Sequence, residues 1–159
     1  HTTADKVMEG VSGAMAKRLG LRNVEILVPE EGGVGLGAVG DLPSPMTPEE
    51  AVALVKRVFS LQVARVSRPV AGMISRIAMC GGSGSDMISD ALAAGAQMYL
   101  SGDISCHNFF SPDGLMIMDI GHFESEIDIT GILFSVIRKK FPNFAVRVSE
   151  RMENPVRYC

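Results

Sequence analysis

The sequence predicts an α/β chain, a layered α/β/α domain around a mixed, partly parallel sheet. Three observations predict it. Apolar runs of strand length alternate with helical patterns along the chain. The stretch "CGGSGSDMISDALAAGAQMYLSGD" runs strand, glycine-rich turn, helix, Gly95, strand, which is the rhythm of a βαβ crossover. The composition, 47% hydrophobic and 21% charged over 159 residues, is that of one ordinary globular domain.

The elements follow in order. Residues 9–19, "EGVSGAMAKRL", read as a helix with Gly20 as its stop. "NVEILVP" (23–29) is a short strand closed by Pro29. "EEGGVGLGAVGDLPSPM" holds five glycines and two prolines and reads as a loop or an irregular edge hairpin. A helix start follows, with Thr47 as N-cap, Pro48 at N1 and Glu50 at N3 completing a capping box worth about 1 kcal/mol. Ala51, Val52, Leu54, Val55, Val58 and Phe59 form its apolar stripe. "LQVARV" (61–66) and "MISRIAMC" (73–80) are expected strands separated by a turn around Pro69 and Gly72. "LMIMDI" (115–120) is the next strand. A helix with Ile129, Ile132, Leu133, Val136 and Ile137 at i, i+3, i+4, i+7, i+8 follows it. "FAVRVSE" (144–150) is expected as a final strand. No internal repeat or low-complexity tract is present.

Charge and cysteine usage narrow the function. The net charge is −3 and no Lys/Arg-rich run lies on a periodic face, so there is no nucleic-acid footprint. No run of eighteen apolar residues exists, and no membrane span is expected. Cys80, Cys106 and Cys159 are odd in number and far apart, which fits neither a disulfide framework nor a CxxC zinc knuckle. A reducing, cytoplasmic location is expected. Position 1 is His rather than Met, and the chain is expected to be the C-terminal part of something longer or a processed product.

The chemistry-bearing residues cluster late in the chain. In "LMIMDIGHFESE" an apolar strand runs into Asp119, Gly121, His122, Glu124 and Glu126. With a helix starting near His122, His122 and Glu126 stand at i and i+4 on one face, and Glu124 points elsewhere. Imidazole plus carboxylate at the C-terminal end of a strand suits Zn, Mn or Fe. The other reading is that the acids favour the positive end of a helix. Asp5, by local sequence, reads as a helix N-cap or a solvated loop residue. "GGSGSD" (81–86) would let backbone N–H groups face an anion, or would make a tight strand-to-helix turn capped by Ser85 or Asp86. "SGDISCHNFF" places Asp103 and His107 four apart, just past a strand. A GxSxG nucleophile elbow is absent.

Taken together, "GGSGSD", "YLSGDISCHNFF" and "DIGHFESE", in that order, resemble the C-terminal half of the Nif-three-like family. These are dinuclear-metal, hexameric proteins, many carrying the homology-based name GTP cyclohydrolase I type II homolog. "HTTADKVMEGVSGAMAKRLGL" and "GLGAVGDLPSPMT" are similar to further family segments, and "FPNFAVRVSE…NPVRY" looks closest to members from Bacteroides-type bacteria. The resemblance implies metal ligands at Asp5, His122 and Glu126. It implies that His107 lines the same cleft, with Cys106 standing where relatives often have Tyr or His; Asp103, Gly82, Ser83 and Gly84, by their place just past the strands, are further candidate cleft or substrate residues. It implies two divalent ions per complete site, a small-molecule ligand and a hexameric homo-oligomer. The activity it implies is metal-dependent hydrolysis of a small phosphorylated or nucleotide substrate, the alternative being a non-enzymatic metal-binding scaffold or regulatory interaction protein. One departure stands out. The family's remaining ligands are a pair of adjacent histidines upstream, and the histidines here are His1, His107 and His122. Residues 1–159 are therefore expected to be a Nif-three-like domain lacking the N-terminal segment, with its metal site incomplete.

Overall fold

A computed structural model describes residues 6–159. Its six strands are β1 (Arg22–Pro29), β2 (Gly35–Met46), β3 (Arg65–Val66), β4 (Ile74–Ser83), β5 (Met98–Gly102) and β6 (Met116–Asp119). They form one sheet in the order β1-β2-β4-β5-β6-β3. β4, β5 and β6 run parallel, and β1, β2 and β3 add antiparallel pairs at the flanks. The helices are α1 (Val11–Arg18), α2 (Pro48–Phe59), α3 (Ile88–Ala93), α4 (His122–Glu126) and α5 (Ile129–Lys140).

Period-two alternation divides the core between the two faces of the sheet. Ile77 and Met79 of β4, Met98 and Leu100 of β5 and Met116 and Met118 of β6 bury one face against α1 and α2. Ala78 and Cys80, Tyr99 and Ile117 bury the other, where Ala91 of α3 packs. The α2 capping box is present as expected. Thr47 Oγ1 accepts from Glu50 N at 3.2 Å, and Thr47 N donates to Glu50 Oε2 at 2.9 Å. Of the expected α2 stripe, Ala51, Val55 and Phe59 are buried.

Four expectations are corrected. The stretch 30–46, expected as a loop or an irregular edge hairpin, holds β2, a twelve-residue strand that makes a hairpin with the edge strand β1 and also pairs with β4. Its glycines are what the pairing demands. Gly37 sits at φ +70°, and a Cβ there would lie 2.9 Å from the Met79 carbonyl oxygen. Pro43 and Pro45 fall where the register with β4 shifts, the position in which a strand tolerates a missing donor. "LQVARV" contributes only the two-residue edge strand β3. "FAVRVSE" forms no strand among the described residues; its alternation is a local β signal that no pairing with the sheet realises. The apolar stripe of α5 is not core, for that helix buries none of its residues.

No helix among the described residues is long and apolar enough to cross a membrane. The parallel centre matters most for function, because it brings the C-terminal ends of β4, β5 and β6 side by side. Ser83 pairs with Gly102, and Ser101 with Asp119.

Candidate metal centre

Chemistry in an open α/β sheet collects beyond the carboxyl ends of its strands. β6 ends at Asp119, the chain turns through Gly121 at φ +89°, and α4 starts at His122. One helical turn separates His122 from Glu126, and their side chains meet, with Nε2 3.4 Å from Oε1. β5 ends at Gly102, and Asp103 follows directly. Its Oδ2 stands 2.6 Å from His122 Nδ1. The ring thus lies between two carboxylates, with Nδ1–H donating to one and Nε2 turned toward the other.

That electrostatic setting favours positive charge on the ring. The hydrogen bond to Asp103, reinforced by the charge of Glu126, raises the His122 pKa above its ordinary value, and partial burial opposes the rise. A proton or a metal ion at Nε2 satisfies the same need. A carboxylate holding the far ring nitrogen is the usual support of a metal-binding histidine. Gly82 keeps the space open: it sits at φ +67°, and a Cβ there would collide with Glu126 Oε1 and lie 3.3 Å from His122 Nε2. His122 Nε2 and Glu126 Oε1 thus face one open space, and imidazole and carboxylate are donor types that divalent ions accept. Asp103 serves the ring rather than the ion, and no group of three His, Cys, Asp or Glu among the described residues is placed to hold a metal. Asp5, the third expected ligand, lies outside the described residues.

Glu124 does point elsewhere. Its Oε1 accepts from Asn154 Nδ2 at 2.7 Å and from the Tyr158 hydroxyl at 3.4 Å. The C-terminal segment consequently walls a cleft of ≈ 470 Å³ beside the centre, lined on its apolar side by Phe123, Ile127, Met152 and Val156. Asp103, His122 and Glu126 all line this cleft; His107 does not. His107 sits on a 3-10 turn, Cys106–Phe109, and is exposed. Cys106 borders a separate groove with Phe109 and Phe110.

The glycine run is a continuation of β4, which extends to Ser83. Its donors turn inward. Gly81 N donates to Ser12 Oγ at 3.3 Å, Gly82 N to Ser125 Oγ at 2.9 Å and Gly84 N to Ser101 Oγ at 3.0 Å. With those three N–H groups engaged, an anion cradle draws no support from them. Neither Ser85 nor Asp86 caps the helix that follows.

Sequence reasoning missed Ser125 and Ser101, and singled out Asp119 without giving it a role. Ser125 Oγ donates to the His122 carbonyl at 2.7 Å while it receives the Gly82 N–H. Ser101 Oγ donates to the Gly82 carbonyl at 3.0 Å. Asp119 Oδ1 accepts from Gly121 N at 2.9 Å. Only the last had a local signal, since Asp two residues before a positive-φ glycine is the pattern of an Asx turn.

The sequence profile of the Duf34/NIF3 (NGG1p interacting factor 3) family matches residues 1–155. The chain belongs to the Duf34/NIF3 family. Curated relatives named "GTP cyclohydrolase 1 type 2 homolog" agree. One from Nostoc is 36% identical over 131 residues, covering 79% of this chain and 49% of the relative. One from Clostridium perfringens is 31% identical over 162 residues, covering 99% and 58%. This NIF3-family chain spans about half the length of the curated relatives it matches. The fold is shared with a Staphylococcus aureus hypothetical protein, with a TM-score of 0.90, 23% identity and coverage of 100% of this chain and 67% of that one. It is shared too with a Bacillus cereus protein related to NIF3, with a TM-score of 0.87, 20% identity and coverage of 100% and 72%.

Proposed function

We propose that this NIF3-family chain carries part of a metal-dependent hydrolase site for a small phosphorylated or nucleotide substrate. The observation that carries the proposal is the pair His122 Nε2 and Glu126 Oε1, 3.4 Å apart, with the other ring nitrogen held by Asp103. The name shared by the curated relatives supports the nucleotide part of the reading. His122 and Glu126 would hold a divalent ion, with Asp5 as a further ligand. Such an ion, when bound, supplies Lewis acidity toward a substrate oxygen and eases the ionisation of water near neutral pH. Asp103 keeps the proton on Nδ1 and so leaves Nε2 free to bind. Phe123, Ile127, Met152 and Val156 offer an apolar wall that excludes water from one side of a bound substrate.

The test is turnover of GTP and of small phosphate esters with added zinc or manganese, alongside metal content by elemental analysis. Turnover and bound metal should both be lost in His122→Ala. Turnover that survives unchanged in that variant defeats the hydrolase reading. One observation favours a second reading, a metal-binding assembly module: α5 leaves Leu133 49% and Val136 55% exposed on an apolar stripe, a surface suited to contact with another chain. Light scattering read together with the turnover assay separates the two, since a module of that kind assembles without turning anything over.

A further inference from the structure

Asp119 is the last residue of β6 and is only 6% exposed. Burying a carboxylate is costly unless its oxygens are bonded. Here Oδ1 accepts from Gly121 N at 2.9 Å, and Oδ2 accepts from Ile104 N at 3.0 Å and from the Arg65 guanidinium. The two backbone partners are informative. Gly121 immediately precedes His122, and Ile104 immediately follows Asp103. The carboxylate is therefore tied one residue away from each member of the Asp103–His122 couple. Those two residues come from different loops, and Asp103 sits at φ +51°, a left-handed conformation uncommon for non-glycine residues but more accessible to Asp than to most. Arg65 tightens the same turn by donating to the Ile104 carbonyl at 2.8 Å and lying 5.2 Å from the centre of the Phe109 ring.

We infer that Asp119 is a positioning residue: its buried carboxylate holds the Asp103 turn and the His122 turn at one spacing, and thereby sets which ring nitrogen His122 presents toward Glu126. Its purpose rests on the metal reading above; its geometry does not. Neutralising Arg65 is not a sufficient role, because that side chain is 56% exposed and water can serve it, whereas the two N–H bonds are made only from where Asp119 stands.

The test reads the His122 ring by nitrogen-15 NMR on the metal-free chain, at an alkaline pH where the ring is neutral, with the signal assigned from His122→Gln. The native protein should show the Nδ1–H tautomer. Asp119→Asn and Asp119→Glu should each lose it in favour of Nε2–H, as should the control Asp103→Ala. Asp119→Glu is the decisive arm. It keeps a negative charge for Arg65 but displaces the oxygens, so a charge-balancing role would be rescued by it and a positioning role would not. A folded Asp119→Glu chain with the native tautomer overturns the inference. Should both variants fail to fold, hydrogen exchange of the native protein decides it: the Ile104 and Gly121 amides must both be strongly protected, and fast exchange of either overturns it. Zinc titration separates this from the metal reading. Asp119→Asn should weaken zinc binding by about 10–100-fold. A native chain that shows the Nδ1–H tautomer yet binds no zinc sinks the metal reading and leaves the positioning role standing.

Discussion

The hydroxyl of Ser125 joins two elements 43 residues apart: it receives the Gly82 N–H at 2.9 Å and donates to the His122 carbonyl at 2.7 Å. α4 is thus fastened to the end of β4 on the side where His122 and Glu126 face Gly82. Ser125→Ala leaves a buried N–H without a partner, a loss of about 1–3 kcal/mol. Urea denaturation should show it as a lower midpoint with an unchanged slope.

Gly82 should resist substitution for a reason separate from stability. In Gly82→Ala the new methyl group meets Glu126 Oε1 and stands 3.3 Å from His122 Nε2, at a φ of +67°. The backbone strain should cost about 1 kcal/mol or more. Divalent-ion binding should fall further than that loss explains, because the methyl fills the space between the two side chains. Calorimetric zinc titration of the folded variant checks this, and native affinity would show that the ion sits elsewhere.

Tyr99 supplies a pH dependence. Its hydroxyl donates to the Gly84 carbonyl at 2.7 Å in the core. Burial, above all, pushes its pKa far above the ordinary phenol value of 10.0. The unfolded chain therefore releases this proton first, and the protein should lose stability as pH rises past about 10. Tyr99→Phe should remove that component of the alkaline slope and cost about 1–2 kcal/mol at neutral pH through the lost hydrogen bond. Denaturation midpoints at several alkaline pH values measure both.

Asp41 acts at the other end of the scale. Hydrogen bonds from Asn23 and then Arg76 hold its pKa below the ordinary 3.8. A depressed carboxylate lends stability above its unfolded value and loses it as pH falls through the folded one. Asp41→Asn should therefore lower stability at pH 7, where Asp41 is ionised, and differ little from the native chain in acid, so that its acid limb flattens below about pH 4. An acid titration of circular dichroism reads the difference.

Much of the fold was legible because it rests on local rules. The capping box of Thr47 and Glu50, the crossover from β4 to β5 and the strand running into Asp119 all follow from spacing and turn chemistry over a few residues. β2 was not legible, since five glycines in and around it read as breakers until two neighbouring strands require backbones to approach that closely. "FAVRVSE" failed in the opposite direction, with good strand alternation and no strand partner among the described residues.

The sequence by itself determined the periodicities and the one-turn spacing of His122 and Glu126, because a helix places i and i+4 on one face wherever it lies. Only the tertiary structure decided that Asp103 supports the ring, that Ser125 and Ser101 occupy the glycine donors and that Asp119 ties the two turns together. Each of those contacts except the Asp119–Gly121 turn joins residues 15 or more positions apart. Such pairs meet because three parallel strands end side by side, and no rule of local spacing encodes which loop follows which neighbouring strand end.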